Sequence, residues 1–265
     1  MAIKLKSDIQ IERMRRAGHI VHEVLEHLRT LVKPGVSTGA LEEQADAMIR
    51  KLGAQALFRG VPNPRAGYPF PACICASIDG EVVHGIPSEK RVLEEGQIIS
   101  IDCGVRYQGY CGDAATTCPV GRVSEKVQRL MDVTVEALAL AIETIVPGGK
   151  WSQVAAKMQT HVEKAGFAVV TDFVGHGIGT EMHEDPKIPN FVSSDLLRND
   201  IILEPGMVLA IEPMVNMGSA DVRYASDGWT VVTRDGKPSA HFEHTVAITR
   251  DGASVLTDGQ PGRKP

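Results

Sequence analysis

Two stretches of this 265-residue chain repeat one another, and the repeat restricts the available folds more than any other feature. The first opens with a helix at Ser7-Asp8. Its apolar residues Ile11, Met14, Ala17, Ile20, Val21, Val24, Leu28 and Leu31 recur at helical spacing and stop at Val32-Lys33-Pro34-Gly35. A second helix follows Thr38, with Leu41, Ala45, Met48, Ile49 and Leu52 inward, and ends near Gly53. The second stretch opens with a helix at Ser124. It carries Val127, Leu130, Met131, Val135, Leu138, Ile142 and Ile145, stops at Val146-Pro147-Gly148, and precedes another helix from Trp151 to Ala165. Strand-like segments continue the parallel. Val83-His84-Gly85-Ile86 is matched by Gly175-His176-Gly177-Ile178. Leu93-Glu94-Glu95-Gly96 with Ile98 to Asp102 is matched by Leu203-Glu204-Pro205-Gly206 with Val208 to Glu212. Each half thus offers two helices, a His-Gly turn and a buried strand ending in a carboxylate. The pattern predicts an α+β domain with internal pseudo-two-fold symmetry: halves of about 1–120 and 121–257 in one unit, and a loose tail over 258–265.

Composition narrows the function classes. Apolar residues make up 43% of the chain, enough for a sizeable core, and the net charge of −5 is scattered. No basic block favours nucleic acid or a membrane surface as partner. No apolar run approaches eighteen residues, and the N-terminus lacks the apolar stretch of a signal peptide. Five cysteines, Cys73, Cys75, Cys103, Cys111 and Cys118, form no framework and no Cys-x-x-Cys pair. Reduced thiols in the cytoplasm are expected, and no structural zinc finger.

Several acids stand where a core belongs. Asp102 follows Ile98-Ile99-Ser100-Ile101, Glu212 follows Val208-Leu209-Ala210-Ile211, and Glu243 precedes His244-Thr245-Val246-Ala247-Ile248. Asp113 lies beyond a hairpin-like stretch from Gly104 to Gly112. Any one of them alone reads most simply as a strand-end residue facing water, because ionised carboxylates are rarely buried unpaired. Four together, two of them related by the repeat, argue for convergence. Converging carboxylates repel unless cations neutralise them. Oxygen-rich ligation with an imidazole suits hard or borderline divalent ions. His84 and His176 sit in Gly-flanked turns open to a ligand, and His183 follows seven residues after His176. His19, His22, His27 and His161 fall on helix faces and read as structural, and Cys73 and Cys75 as small buried hydrophobes.

At these residues the chain closely resembles type I methionine aminopeptidases, from about Ile3 to about Thr257. The motifs are Glu81-Val82-Val83-His84-Gly85-Ile86-Pro87, Ile101-Asp102-Cys103-Gly104 with Gly112-Asp113-Ala114-Ala115, Gly175-His176-Gly177-Ile178-Gly179 with Met182-His183-Glu184-Asp185-Pro186, Ile211-Glu212-Pro213, and Gly228-Trp229-Thr230 leading to Phe242-Glu243-His244-Thr245. The resemblance implies the pita-bread fold. It implies that Asp102, Asp113, His176, Glu212 and Glu243 hold two divalent ions (Co, Fe, Mn, Zn or Ni). Asp113 and Glu243 would bridge both ions, Asp102 would serve one, and His176 and Glu212 the other. It implies that His84 and His183 contact the substrate near the scissile amide, and that Phe70, Cys75, Met182 and Trp229 line a methionine pocket. Some positions depart from the family. Asp79-Gly80 stands where many members have Asn, in a loop for a possible monovalent cation. Val83 replaces a frequent Cys, and Met182 an aromatic. The segment Asn63 to Tyr68 fits poorly, so Tyr68 shares the candidacy of Phe70.

The resemblance further implies hydrolysis by an activated water, with Glu212 as proton shuttle and catalytic partner of His84 and His183. The substrates would be N-termini of nascent polypeptides with a small, uncharged second residue, met near the ribosome exit by a cytoplasmic monomer. The absence of a type II insertion and of an N-terminal zinc-binding extension suggests the short bacterial form. Two other readings stand beside it. A proline-directed aminopeptidase of the same fold usually carries a large extra N-terminal domain. A non-catalytic pita-bread binding protein would lose metal ligands.

Overall fold

The computed structural model describes residues 3–260. Helix α1 (Asp8–Leu31) starts where the sequence places it. The Ser7 side chain accepts from the Gln10 N–H, and the Gln10 side chain returns a bond to the Ser7 N–H, satisfying donors that a helix start leaves open. In α2 (Thr38–Lys51) Ser37 is the cap, so Thr38 is the first helical residue rather than the one before the helix. The first half continues with β1 (Gln55–Ala56), β2 (Ile74–Ile78), β3 (Glu81–Val83), β4 (Ile98–Tyr107) and β5 (Tyr110–Pro119).

The second half begins with α3 (Glu125–Thr144), capped by Ser124, and α4 (Trp151–Lys164). Then come β6 (Ala168–Val169), β7 (Gly175–Gly177), β8 (Glu184–Ile188), α5 (Ser194–Arg198) and β9 (Val208–Ile211). Shorter strands follow: β10 (Met214–Asn216), β11 (Val222–Tyr224), β12 (Val231–Thr233) and β13 (Ser239–His241). The chain closes with β14 (Glu243–Thr249) and β15 (Gly252–Val255). On α3 the buried face runs through Leu130, Val133, Thr134, Ala137 and Ala141; Val135, expected inward, is rotated away from it and is 44% exposed.

One antiparallel sheet spans both halves, in the order β1-β4-β5-β14-β9-β7-β8, with β2 also on β4 and β15 on β14. The halves meet at β5 and β14, where Ala115 pairs with Glu243 and Ala114 with His244. The α+β architecture expected from the repeat, and the pita-bread fold that the resemblance implies, are the ones observed. Helices α1 and α2 cover the first half through Leu28, Leu41, Ile99, Ile101 and Val105, while α3 and α4 cover the second through Trp151, Met158, Leu209, Ile211 and Val246.

This packing assigns the sheet's faces. Side chains alternate along a strand, and each buried aliphatic contributes about 1.5–3 kcal/mol, so the apolar set fixes which face meets the helices. In β4 the odd positions Ile99, Ile101, Cys103 and Val105 take the helix side. Asp102 is therefore turned to the opposite face. The same alternation puts Asp113 opposite Ala114, Glu212 opposite Leu209 and Ile211, and Glu243 opposite Val246 and Ile248. Asp102 does not end its strand as expected; β4 runs on to Tyr107 and turns back through Gln108-Gly109 into β5. The C-terminal tail is described to Gln260, whose carbonyl lies 2.9 Å from His19 Nε2; residues 261–265 lie outside the described residues.

Candidate active site

Five neighbouring strands each deliver one polar side chain to the open face of the sheet. Asp102 comes from β4, Asp113 from β5, Glu243 from the start of β14, Glu212 from just after β9 and His176 from β7. Adjacent strands lie about 4.8 Å apart, so side chains at matching depth fall within reach of a shared ion. Ligand atoms of Asp113, His176 and Glu243 all lie within 4.8 Å of one another, which fits a divalent metal site. His176 Nε2 is 4.0 Å from Asp113 Oδ2 and 3.7 Å from Glu212 Oε1. Asp102 flanks this trio on β4, and Glu212 lies between Glu243 and His176 in the strand order. His176 lies within a strand, not in the turn expected from its glycines; His84 follows β3 with φ 61.

The electrostatics of the cluster call for a cation. Burial, and then the charges of Asp113 and Glu212, push Asp102 well above the ordinary carboxylate range. Burial raises Asp113 to about 7. Glu212 and Glu243 are raised for the same reasons, burial first and neighbouring acids second. Asp102 Oδ1, Asp113 Oδ1 and Glu243 Oε1 are buried without any hydrogen-bond partner, a state that native structures avoid unless something else binds there. His176 adds an independent sign. Its Nδ1 lies 2.9 Å from the Gly177 carbonyl, which only accepts, so Nδ1 carries the proton. Nε2 then points a lone pair at carboxylates, which is repulsive without a positive ion between them. Burial, followed by the neighbouring His183, pulls His176 down to about 4, so the imidazole is neutral at pH 7.

Apart from Tyr68, the residues expected to hold metal, contact substrate or line the methionine pocket line one cavity of about 200 Å³. The acids and His176 occupy one side; Phe70, Cys75, Met182 and Trp229 form much of the rest. The Phe70 and Trp229 rings meet edge to face at 5.1 Å, and Trp229 Nε1 donates to the Tyr68 carbonyl at 3.2 Å, fixing the indole. Tyr68 itself is 40% exposed, and its hydroxyl donates to the Asp227 carbonyl. Phe70, not Tyr68, is the wall. His84 stands 6.5 Å from the Trp229 ring and His183 4.4 Å from the His176 ring. Burial, then His183, lowers His84 to about 4, and burial lowers His183. At Asp79-Gly80 the two carbonyls accept from Ser239 N and Thr233 N, each at 2.8 Å.

Three residues at the site escaped the sequence. Phe58 and Val61 line the cavity from an irregular segment with no periodicity to reveal them. His241 is 1% exposed, with Nε2 3.6 Å from Glu212 Oε2. Its signal was present: it stands two residues before Glu243, and extended backbone sends alternate side chains to one face.

A profile for Metallopeptidase family M24 matches residues 12–250, so the chain belongs to that family. It is 47% identical to a methionine aminopeptidase of Clostridium acetobutylicum, over 96% of this chain and 98% of that one. A crystal structure of methionine aminopeptidase from Thermotoga maritima, 42% identical, matches with a TM-score of 0.91, covering 97% of this chain and 99% of that one. These relatives put the chain in the methionine aminopeptidase branch of metallo-exopeptidases, as its motifs implied. A prolidase from Pyrococcus furiosus, 22% identical with a TM-score of 0.75 over 97% of this chain and 66% of that one, shares the fold.

Proposed function

We propose that the protein removes the initiator methionine from nascent polypeptides whose second residue is small and uncharged. The observation that supports this most is the meeting, in one cavity, of buried unpaired carboxylates with a wall of aromatic and sulfur-bearing side chains. Divalent ions bound at the acids supply Lewis acidity and make water nucleophilic near neutral pH. Asp113 and Glu243, on the two strands that meet at the seam of the halves, would bridge two ions. Asp102 would hold one ion, and His176 with Glu212 the other.

The chain's own groups then divide the work. The Glu212 carboxylate takes the proton of the attacking water and passes it to the leaving amine. Neutral His84 and His183 offer N–H donors to the scissile amide and to the charge that develops on it. The thioether of methionine packs among Phe70, Cys75, Met182 and Trp229, where polarisable sulfur and ring edges make favourable contacts. The substrate's free α-amine meets the acid cluster, which confines cleavage to the first residue.

The experiment is reconstitution of chelated protein with Mn, Co, Fe, Zn or Ni, followed by parallel assays on Met-Ala-Ser and Ala-Pro peptides. Metal-dependent release of methionine is expected. Cleavage of Ala-Pro alone would transfer the protein to the proline-directed reading, and cleavage of neither with any metal would favour a binding protein. The likeness to methionine aminopeptidases is one of sequence over nearly the whole chain, whereas the likeness to the prolidase is one of fold. In the cell we place the protein as a cytoplasmic monomer acting at the ribosome exit. No described helix is long and apolar enough to cross a membrane.

A further inference from the structure

The segment before α1 reaches across the molecule to the loop that carries Met182 and His183. Lys6 Nζ contacts Glu184 Oε2 at 2.6 Å, with both side chains nearly buried, at 7% and 4% exposed. The other carboxylate oxygen, Glu184 Oε1, accepts from Thr180 N at 3.1 Å and Glu181 N at 3.3 Å. One carboxylate therefore closes the turn Thr180–Glu184 from within, and its counter-charge comes from the N-terminal segment. Lys6 is held in turn by its own backbone, whose N–H donates to the Gly206 carbonyl at 2.7 Å, and its ammonium donates to the Lys4 carbonyl at 2.8 Å.

Two glycines make room for this arrangement. A Cβ at Gly179 would fall 2.6 Å from Lys6 Cε and 2.7 Å from Glu184 Oε1, and one at Gly206 would fall 2.9 Å from the Lys6 carbonyl oxygen. The near side of the loop is fixed independently, by Ile178 N to Val208 O at 3.0 Å and Cys111 N to Gly179 O at 2.8 Å. His183 lies beyond those anchors, directly beside Glu184.

A buried ion pair is a poor device for stability, because the desolvation of both charges offsets most of their attraction. What such a pair does well is fix an orientation. We propose that Lys6 is a positioning residue: the N-terminal segment is a strap whose ammonium holds the Glu184 carboxylate, and through it the turn that aims His183 into the cavity. This inference rests on the role proposed above for His183. Without the ammonium, Glu184 Oε2 lacks a donor, the carboxylate turns toward water, and the Thr180 and Glu181 amides lose their acceptor. Misplacing a catalytic group by about 1 Å can lower turnover as much as about 100-fold.

The test uses Mn-loaded protein with Lys6→Met, Gly179→Ala, His183→Ala and the Lys6→Met/His183→Ala pair. Lys6→Met and Gly179→Ala are each expected to lower kcat on Met-Ala-Ser at least about tenfold, with metal content unchanged. Amide hydrogen exchange at Thr180 and Glu181 should quicken. Adding Lys6→Met to His183→Ala should cost nothing further, because residues that act through one another are not additive. Multiplicative losses in the pair, or unchanged exchange at Thr180 and Glu181, would overturn the strap. If Lys6→Met does not fold, Glu184→Gln weakens the same contact and is read by the same exchange measurement. Failure of the unmodified protein to cleave Met-Ala-Ser would count against the proposed function; the exchange data would still decide the strap.

Discussion

In the first half the His-Gly pair follows β3, which pairs with β12 away from the central sheet. There His84 occupies a left-handed conformation, φ 61, and lines the cavity beside Trp229. In the second half the matching pair lies inside β7, hydrogen-bonded to β9, and His176 faces the acids. The sequence repeat is the same; the environments are not. The left-handed region is uncommon for a residue with a Cβ, and His84 keeps it directly after β3. The acids tell the opposite story. Asp102 and Asp113 on paired strands of one half face Glu212 and Glu243 of the other across the β5–β14 seam. Both halves deliver carboxylates to the shared face, while the two matched histidines have different surroundings.

Removing one acid of the seam tests the shared part of that comparison most severely. Asp113→Ala and Glu243→Ala should each abolish measurable turnover and weaken metal binding by more than about 100-fold, beyond what loss of an outer-sphere partner costs. Elemental analysis and titration calorimetry read this out. Full metal content with normal turnover in either variant would remove the bridging role.

The divergent part is tested by His84→Ala and His183→Ala. Both should lower turnover by about 100-fold, the scale of losing one donor to developing charge, with metal content intact. Loss of an ion from His84→Ala would show that the two halves use their matched histidines alike after all, and loss from His183→Ala would make that residue a metal ligand. His176→Ala, by contrast, should lose metal.

Smaller effects are expected from the pocket, which draws Phe70 and Cys75 from one half and Met182 and Trp229 from the other. Met182→Ala or Trp229→Ala should shift the preference between Met- and Leu-starting peptides by about tenfold, within the 1–3 kcal/mol a side-chain pocket commands. Equal rate ratios before and after would exclude these residues from recognition.

The smallest is a change of stability with pH in the metal-free protein. Burial raises the Asp113 carboxyl in the folded state, to about 7, so the folded state binds its proton more tightly than the unfolded state does. Its stabilising protonation is complete below the ordinary carboxylate range and is lost as pH rises toward 7; the other three acids, also raised, act in the same sense. Metal-free protein should therefore melt lower at pH 7.5 than at pH 5, by at least about 3 °C. Saturating Mn should close that gap. A metal-free protein equally stable at both values would show that the seam tolerates its charges unaided.

The sequence by itself determined the four long helices and the direction of Asp102 and Glu212. Ser7 and Ser124 mark helix starts through bonds made within one turn, and a period-two apolar pattern turns Asp102 and Glu212 from the core as soon as Ile101 and Ile211 enter it. These are local consequences of backbone geometry, legible from neighbours in the chain. The tertiary structure alone decided the rest. That Ala115 pairs with Glu243 depends on how two distant halves dock, and no local spacing states it. The same holds for Phe58 and Val61, which reach the cavity from an irregular segment, and for Phe70 rather than Tyr68 as its wall. It holds too for Lys6, whose partner Glu184 belongs to the opposite half. Hydrogen bonds and hydrophobic periodicity act over a few residues, whereas a binding site is made where remote segments are brought to one face, and only packing of the whole chain sets that register.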